Sequence, residues 1–356
     1  MKKLLISAYS LDYGGIETAL ITLLEYLKDK YEITLVLEKK QGVFLKKVPQ
    51  NVEVISYEKS KIKNTLFRKI DNFIRQTKFK MKYKNKFDFS ICYATYSLPC
   101  SFVARTASKN SALWVHNNYM NFYNNDIQRY KKFFYDLKIE EFKKIIFVSN
   151  LDKTIFSAEF PMMIKKCYVC NNLINYESIL EKSEEQVDDF KKSNLPTFIN
   201  ISRHDEKQKK LSRIINATRK LNKEGYKFRV VFVGKGIDTK SYYNMAKDLK
   251  NVIFLGAKTN PYPYLRLSDC FVMSSEFEGY PVTLVEAEIL SKPIITTDIS
   301  DAKEEIDKKY GIIVEKSDNG IYEGMKQFLD EGIEIDKFSP EKYNEDIIKK
   351  LEKIFN

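Results

Sequence analysis

The chain has 356 residues and a formal net charge of +12, from 60 Lys and Arg against 48 Asp and Glu. That length exceeds one ordinary core and suits two α/β domains with room for a cleft between them. Five scattered cysteines with no second close pair exclude a zinc site and suit a reduced cytoplasmic protein, no window approaches the ~18 apolar residues of a membrane span, and no nucleic-acid motif accompanies the charge.

Residues 1–9 begin basic and apolar, as a signal peptide does, but no small-residue cleavage site follows before Asp12, Gly14 and Gly15. They read as a first strand. Residues 11–17 form a glycine turn into an amphipathic helix through Lys28, and glycine there lets the backbone approach a ligand closely. Strand-like runs at 32–37, 52–57, 87–93, 112–115 and 145–148, with helical stretches between most of them, predict a mostly parallel sheet.

Residues 59–86 stand apart. Lys59, Lys61, Lys63, Arg68, Lys69, Arg75, Lys78, Lys80, Lys82, Lys84 and Lys86 are set against Asp71 alone, while Ile62, Leu66, Ile70, Phe73 and Ile74 recur at helical spacing. Such a helix suits an anionic membrane surface; the alternative is a helix that packs its apolar stripe on the core and leaves the lysines solvated. Its tail, Phe79 to Tyr83, alternates apolar residues with lysine, a pattern that a core alone does not need.

His116 ends a strand begun by Ala112, at the edge where ligands collect, and Tyr119, Phe122 and Tyr123 after it either line an acceptor site or pack. Cys167 and Cys170 fall in a further strand and fill core. The polar, acidic stretch 176–194 breaks the apolar rhythm and reads as the inter-domain linker. A second domain opens with the strand 197–203, then His204 to Lys210, then a helix to Glu224.

The densest signal follows. Cys270-Phe271-Val272-Met273 is a buried strand, Gly279 and Pro281 break regularity after it, and Thr283 with Glu286 fits a capping box. The helix amides then face the loop, ready for an anion such as a phosphate. Two carboxylates, Glu278 and Glu286, flank that end, which makes sense where they hold hydroxyl groups. A sugar nucleotide supplies both demands.

Glu278, seven residues, then Glu286, inside Glu-Gly-Tyr-Pro-x-x-Leu-x-Glu-Ala, resembles the signature of the family 4 retaining glycosyltransferases of the GT-B fold. The resemblance implies an α/β protein of two Rossmann-like domains facing each other across a cleft. Residues 1–172 would bind the acceptor, 173–194 link, 195–340 bind the nucleotide sugar, and the helix 341–356 return to the first domain. It implies that Gly14 and Gly15 face the donor diphosphate, that His116 reaches the donor sugar, and that Arg203 and a nearby lysine neutralise the diphosphate. The usual spacing lands on Gln208; counting back from Ala217 favours Lys209, with Lys207 and Lys210 as alternatives. Glu286 would accept hydrogen bonds from the ribose, while Glu278 with Gly279, Tyr280, Pro281, Val282, Thr283 and Leu284 holds the donor. Asn260 to Tyr264 would lie near the base.

Catalytic roles thus fall to His116, Glu278, Arg203 and Lys209. No Asp-x-Asp occurs, so transfer is expected without a metal or other cofactor. The expected reaction moves a sugar from a nucleotide donor, UDP-linked, to a glycan or lipid-linked acceptor in bacterial capsule or lipopolysaccharide synthesis, with retention, at the inner face of the cell membrane. Nucleic acid is not an expected partner. The alternative is a non-catalytic, glycosyltransferase-like subunit that binds an acceptor protein or an active enzyme; a sugar-nucleotide 2-epimerase of related fold lacks the Glu-Gly-x-Pro loop in this form.

Overall fold

A computed structural model describes residues 1–12, 14–299, 306 and 309–355. The chain divides into two compact units, residues 1–174 with 344–356, and residues 175–343.

In the first unit seven strands run parallel: β1 (Lys2–Ala8), β2 (Tyr31–Leu37), β3 (Glu53–Ser56), β4 (Phe89–Cys92), β5 (Ser111–Val115), β6 (Lys144–Phe147) and β7 (Cys167–Val169), in the order β3-β2-β1-β4-β5-β6-β7. Leu4, Leu5 and Ile6 are buried in succession, as expected of a parallel strand covered on both faces. Strand order reverses between β1 and β4, and the loops leaving their carboxyl ends carry Gly14 and Tyr93. Tyr13 of the predicted glycine turn lies outside the described residues. The last helix, Pro340–Phe355, closes this unit: Phe355 packs edge-on against Tyr31 and Phe89 at 5.7 and 5.2 Å.

The second unit holds β8 (Thr197–Ile201), β9 (Arg229–Val233), β10 (Val252–Gly256), β11 (Cys270–Met273), β12 (Ile294–Thr297) and β13 (Gly311–Val314), all parallel, in the order β10-β9-β8-β11-β12-β13. Taken along the chain this is the 3-2-1-4-5-6 order of the doubly wound dinucleotide-binding sheet. Side chains alternate with the pleat. Phe198, Val230, Phe232 and Val272 join the helix Leu211–Lys223 on one face, and Ile199, Val231, Phe271 and Met273 join the helix Val282–Ile289 on the other.

The stretch 173–194, read as the linker, contains the helix Tyr176–Ser183, and Phe190 enters the core beside Tyr264, because that acidic stretch still carries apolar anchors. The basic segment forms the helix Thr65–Tyr83, capped by Asn64, but its predicted apolar stripe does not pack on the core: Leu66, Ile70, Phe73 and Ile74 are exposed. The tail does pack instead, with Phe79 buried against Tyr57 and Phe102.

Candidate functional site

In an open doubly wound sheet a ligand sits beyond the carboxyl ends of the strands where the order reverses. In the second unit that point lies between β8 and β11. The loop after β8 carries Arg203 and Lys209; the loop after β11 carries Glu278.

The two loops are stitched together by backbone. The Ser274 hydroxyl donates to the carbonyls of Lys209 and Lys210 at 3.0 and 2.9 Å, and the Glu276 amide donates to the Gln208 carbonyl at 2.7 Å. Buried Arg213 donates to the Ser274 carbonyl at 3.0 Å and to the Glu276 carboxylate at 2.5 Å. From below, Gly236 presses on the same loop: a Cβ there would stand 2.2 Å from the His204 carbonyl, so only glycine allows this approach. His204 is itself buried, its Nδ1 3.0 Å from the Thr239 hydroxyl, a structural part of that contact.

On this frame a polar chain is assembled. Lys209 Nζ meets Glu278 Oε1 at 2.5 Å, with both side chains shielded, and the Ser275 hydroxyl donates to the same oxygen at 2.7 Å. Gln208 Nε2 donates to Glu278 Oε2 at 3.3 Å while its Oε1 accepts from Arg203 Nη2 at 3.1 Å. Arg203 is largely exposed and also 3.3 Å from Asp205. Of the three candidate lysines, Lys209 thus stands on Glu278, whereas Lys210 lies 3.7 Å from Glu206. Gln208 and Ser275 are the members that sequence reasoning did not assign; Gln208 stood where the family spacing pointed and was passed over for a charged neighbour.

The second acid is placed differently. Glu286 lies within the helix Val282–Ile289 and accepts from the Tyr262 hydroxyl at 3.0 Å. Burial pushes its carboxyl up to about 7, a rise that the Tyr262 hydrogen bond only partly offsets. The predicted capping box is absent. Pro281 occupies the cap position without a side-chain bond, so Thr283 sits inside the first turn and Glu286 turns instead to a partner 24 residues away. Leu284 is core, packed among Phe271, Ile294 and their neighbours, which leaves its backbone alone for any ligand. Gly279 and Pro281 are buried in the loop; Tyr280, Val282 and Thr283 are half-buried.

In the first unit, Gly14 caps the helix Gly15–Leu27, its carbonyl accepting from the Thr18 amide and hydroxyl, each at 3.0 Å. His116 follows β5 and is buried beside the Tyr93 ring, 4.2 Å between centroids. Neither ring nitrogen has a partner among the described residues, and burial drives the imidazole pKa down to about 3, so it is neutral. Tyr119 packs into the aromatic core with Phe133 and Phe134, while Phe122 stays exposed.

Among the described residues no cluster of three or more His, Cys, Asp or Glu could hold a metal, and no helix is long and apolar enough to cross a membrane. Over 349 residues the chain is 26% identical to the N-acetylgalactosamine-N,N'-diacetylbacillosaminyl-diphospho-undecaprenol 4-alpha-N-acetylgalactosaminyltransferase of Campylobacter jejuni, spanning 93% of this chain and 91% of that one. It is 30% identical over 210 residues to an uncharacterised glycosyltransferase of Methanocaldococcus jannaschii, spanning 54% of this chain and 49% of that one. Anabaena HepE, solved in complex with UDP and glucose, matches 99% of this chain and 100% of its own at a TM-score of 0.79 and 16% identity. The lipopolysaccharide outer core galactosyltransferase WaaB matches 100% and 96% at 0.67 and 15%. These likenesses give the fold, that of the GT-B glycosyltransferases. Residues 181–350, which include both loops of the polar chain, match the family described as Glycosyl transferases group 1.

Proposed function

We propose that the chain is a retaining glycosyltransferase that moves a sugar from a nucleotide donor to a glycan acceptor without a metal. The observation that carries this reading is the polar chain Arg203–Gln208–Glu278–Lys209 at the strand-order reversal of the family-matched unit.

Departure of a nucleoside diphosphate develops negative charge on phosphate oxygens, which fixed cations stabilise. Arg203 offers a bidentate fork and Lys209 a point charge, and both are tethered before any donor arrives. Lys209 and Ser275 both meet Glu278 at Oε1, and Oε2, which accepts from Gln208 at 3.3 Å, keeps a second lone pair to hold the sugar hydroxyls with the loop through Val282. Glu286, whose protein partner is a hydroxyl donor, suits the ribose hydroxyls equally. In the first unit, Gly14 and Gly15 are assigned to the diphosphate and His116 to the donor sugar; a neutral, unpartnered imidazole is a ready hydrogen-bonding group for such a ligand.

A UDP-linked donor is supported by the UDP in the HepE complex, and a lipid-linked acceptor in surface-glycan synthesis, met at the inner face of the membrane, by the diphospho-undecaprenol in the Campylobacter relative's name. The test is thermal unfolding against UDP-, GDP-, ADP- and CMP-sugars without added metal. A ligand at a hundredfold its dissociation constant adds about 2.7 kcal/mol of stability. Selective stabilisation by UDP-sugars, lost in Arg203→Ala and Glu286→Ala, is the expected result; no response to any nucleotide sugar overturns the reading.

A further inference from the structure

We propose that the helix Thr65–Tyr83 docks the chain on an anionic lipid bilayer, lying in the plane of the interface. The argument rests on which face of the helix the fold uses. The packed row is Asn72, Gln76, Phe79 and Tyr83, spaced four, three and four. Phe79, 6% exposed, sits edge-on to Tyr57 at 5.1 Å, and the Asn72 side chain accepts from the Ser60 amide at 2.9 Å.

The apolar stripe lies on the other side. At about 100° per residue, Leu66, Ile70 and Phe73 fall about 80° to 180° around the helix from Phe79 and Tyr83. Leu66 is 65% exposed, Phe73 69%, and Phe67, Ile74 and Met81 are exposed beside them. A contiguous stripe of this kind on a helix whose core contact is already made marks an interaction surface. The helix is preformed, since the Asn64 carboxamide accepts from the amides of Leu66 and Phe67 at 3.0 and 3.3 Å.

Charge selects the occupant. Lys69 and Lys80 flank the stripe on one side, Arg75, Lys78 and Lys82 on the other, and the helix's one acid, Asp71, is already bonded to Arg75 at 2.9 Å. A narrow apolar strip between two cationic rows is the pattern of an in-plane helix among anionic headgroups. A second copy docking stripe to stripe would bring like-charged rows together, which disfavours self-association. The inference does not depend on transfer activity.

The experiment is co-sedimentation of the full chain with phosphatidylcholine vesicles, with and without phosphatidylglycerol, at low and high salt. Binding is expected on the phosphatidylglycerol vesicles only and is lost at high salt. Lys78→Gln/Lys82→Gln should lower the partition coefficient about fivefold per lysine. Ile70→Ser/Phe73→Ser should lower it about tenfold or more, with the melting temperature and the nucleotide-induced stabilisation unchanged. Equal binding to neutral vesicles, indifference to Ile70→Ser/Phe73→Ser, or a wild-type dimer that this pair dissociates would overturn the proposal.

Discussion

Replacing Glu286 with glutamine tests whether this carboxyl is the proton-sensitive group of the site. Burial holds it up to about 7 against an ordinary 4.5. Between those values the folded chain keeps a proton that the unfolded chain has lost, so stability falls as pH rises through that window. The penalty is absent below about pH 4.5 and complete above about pH 7. At about 1.36 kcal/mol per pH step it reaches about 3 kcal/mol at pH 8, and about 1 kcal/mol of it is already present at pH 5. Glutamine carries no charge to desolvate and keeps an acceptor for the Tyr262 hydroxyl. Urea unfolding of both proteins should therefore show Glu286→Gln gaining on wild type by about 2.5 kcal/mol between pH 5 and pH 8. A difference between the two that stays the same at both pH values refutes the reasoning.

Two further outcomes follow from the polar chain. Gln208→Ala releases both Arg203 and Glu278 without touching the core, so UDP binding by calorimetry should weaken about tenfold, or about 1.4 kcal/mol, with little change in melting temperature. Lys209→Met strands the shielded Glu278 carboxylate and should cost about 3 kcal/mol in urea unfolding, most of which Lys209→Met/Glu278→Gln restores; no recovery in the double variant refutes the pairing.

What could be read in the sequence was whatever local pattern decides. Consecutive apolar runs placed all seven strands of the first sheet and β8 and β11 of the second, and the stretch after β11 announced its two acids. What escaped was set by partners far along the chain. Thr283 and Glu286 satisfy the capping-box spacing, yet Pro281 starts the helix earlier and Tyr262 captures the carboxylate. Apolar periodicity marked the stripe of the helix Thr65–Tyr83 correctly but not its direction, because Tyr57 and Phe102 supply an aromatic seat for Phe79 on the other side. Gln208 is legible only through Arg203 and Glu278, five and seventy residues away.

The two acids that first drew attention are thereby given different chemistry by their surroundings. Glu278 faces an ammonium, a hydroxyl and a carboxamide, so its charge is balanced inside the loop and its remaining oxygen is held in one orientation. Among the described residues Glu286 faces a phenol alone, with no cation to balance a charge on it, and burial keeps the proton near neutrality. Environment of this kind assigns different work to like residues. A ligand hydroxyl offered to Glu286 adds a donor to a carboxylate that has one, which favours the ionised form and lowers the pKa. Donor binding at this position should then release a fraction of a proton near pH 6, whereas binding at Glu278 exchanges partners around a charge that is already paired. Calorimetry of UDP binding in two buffers of different ionisation enthalpy reads that proton directly, and its absence at pH 6 in wild type would separate the ribose from Glu286.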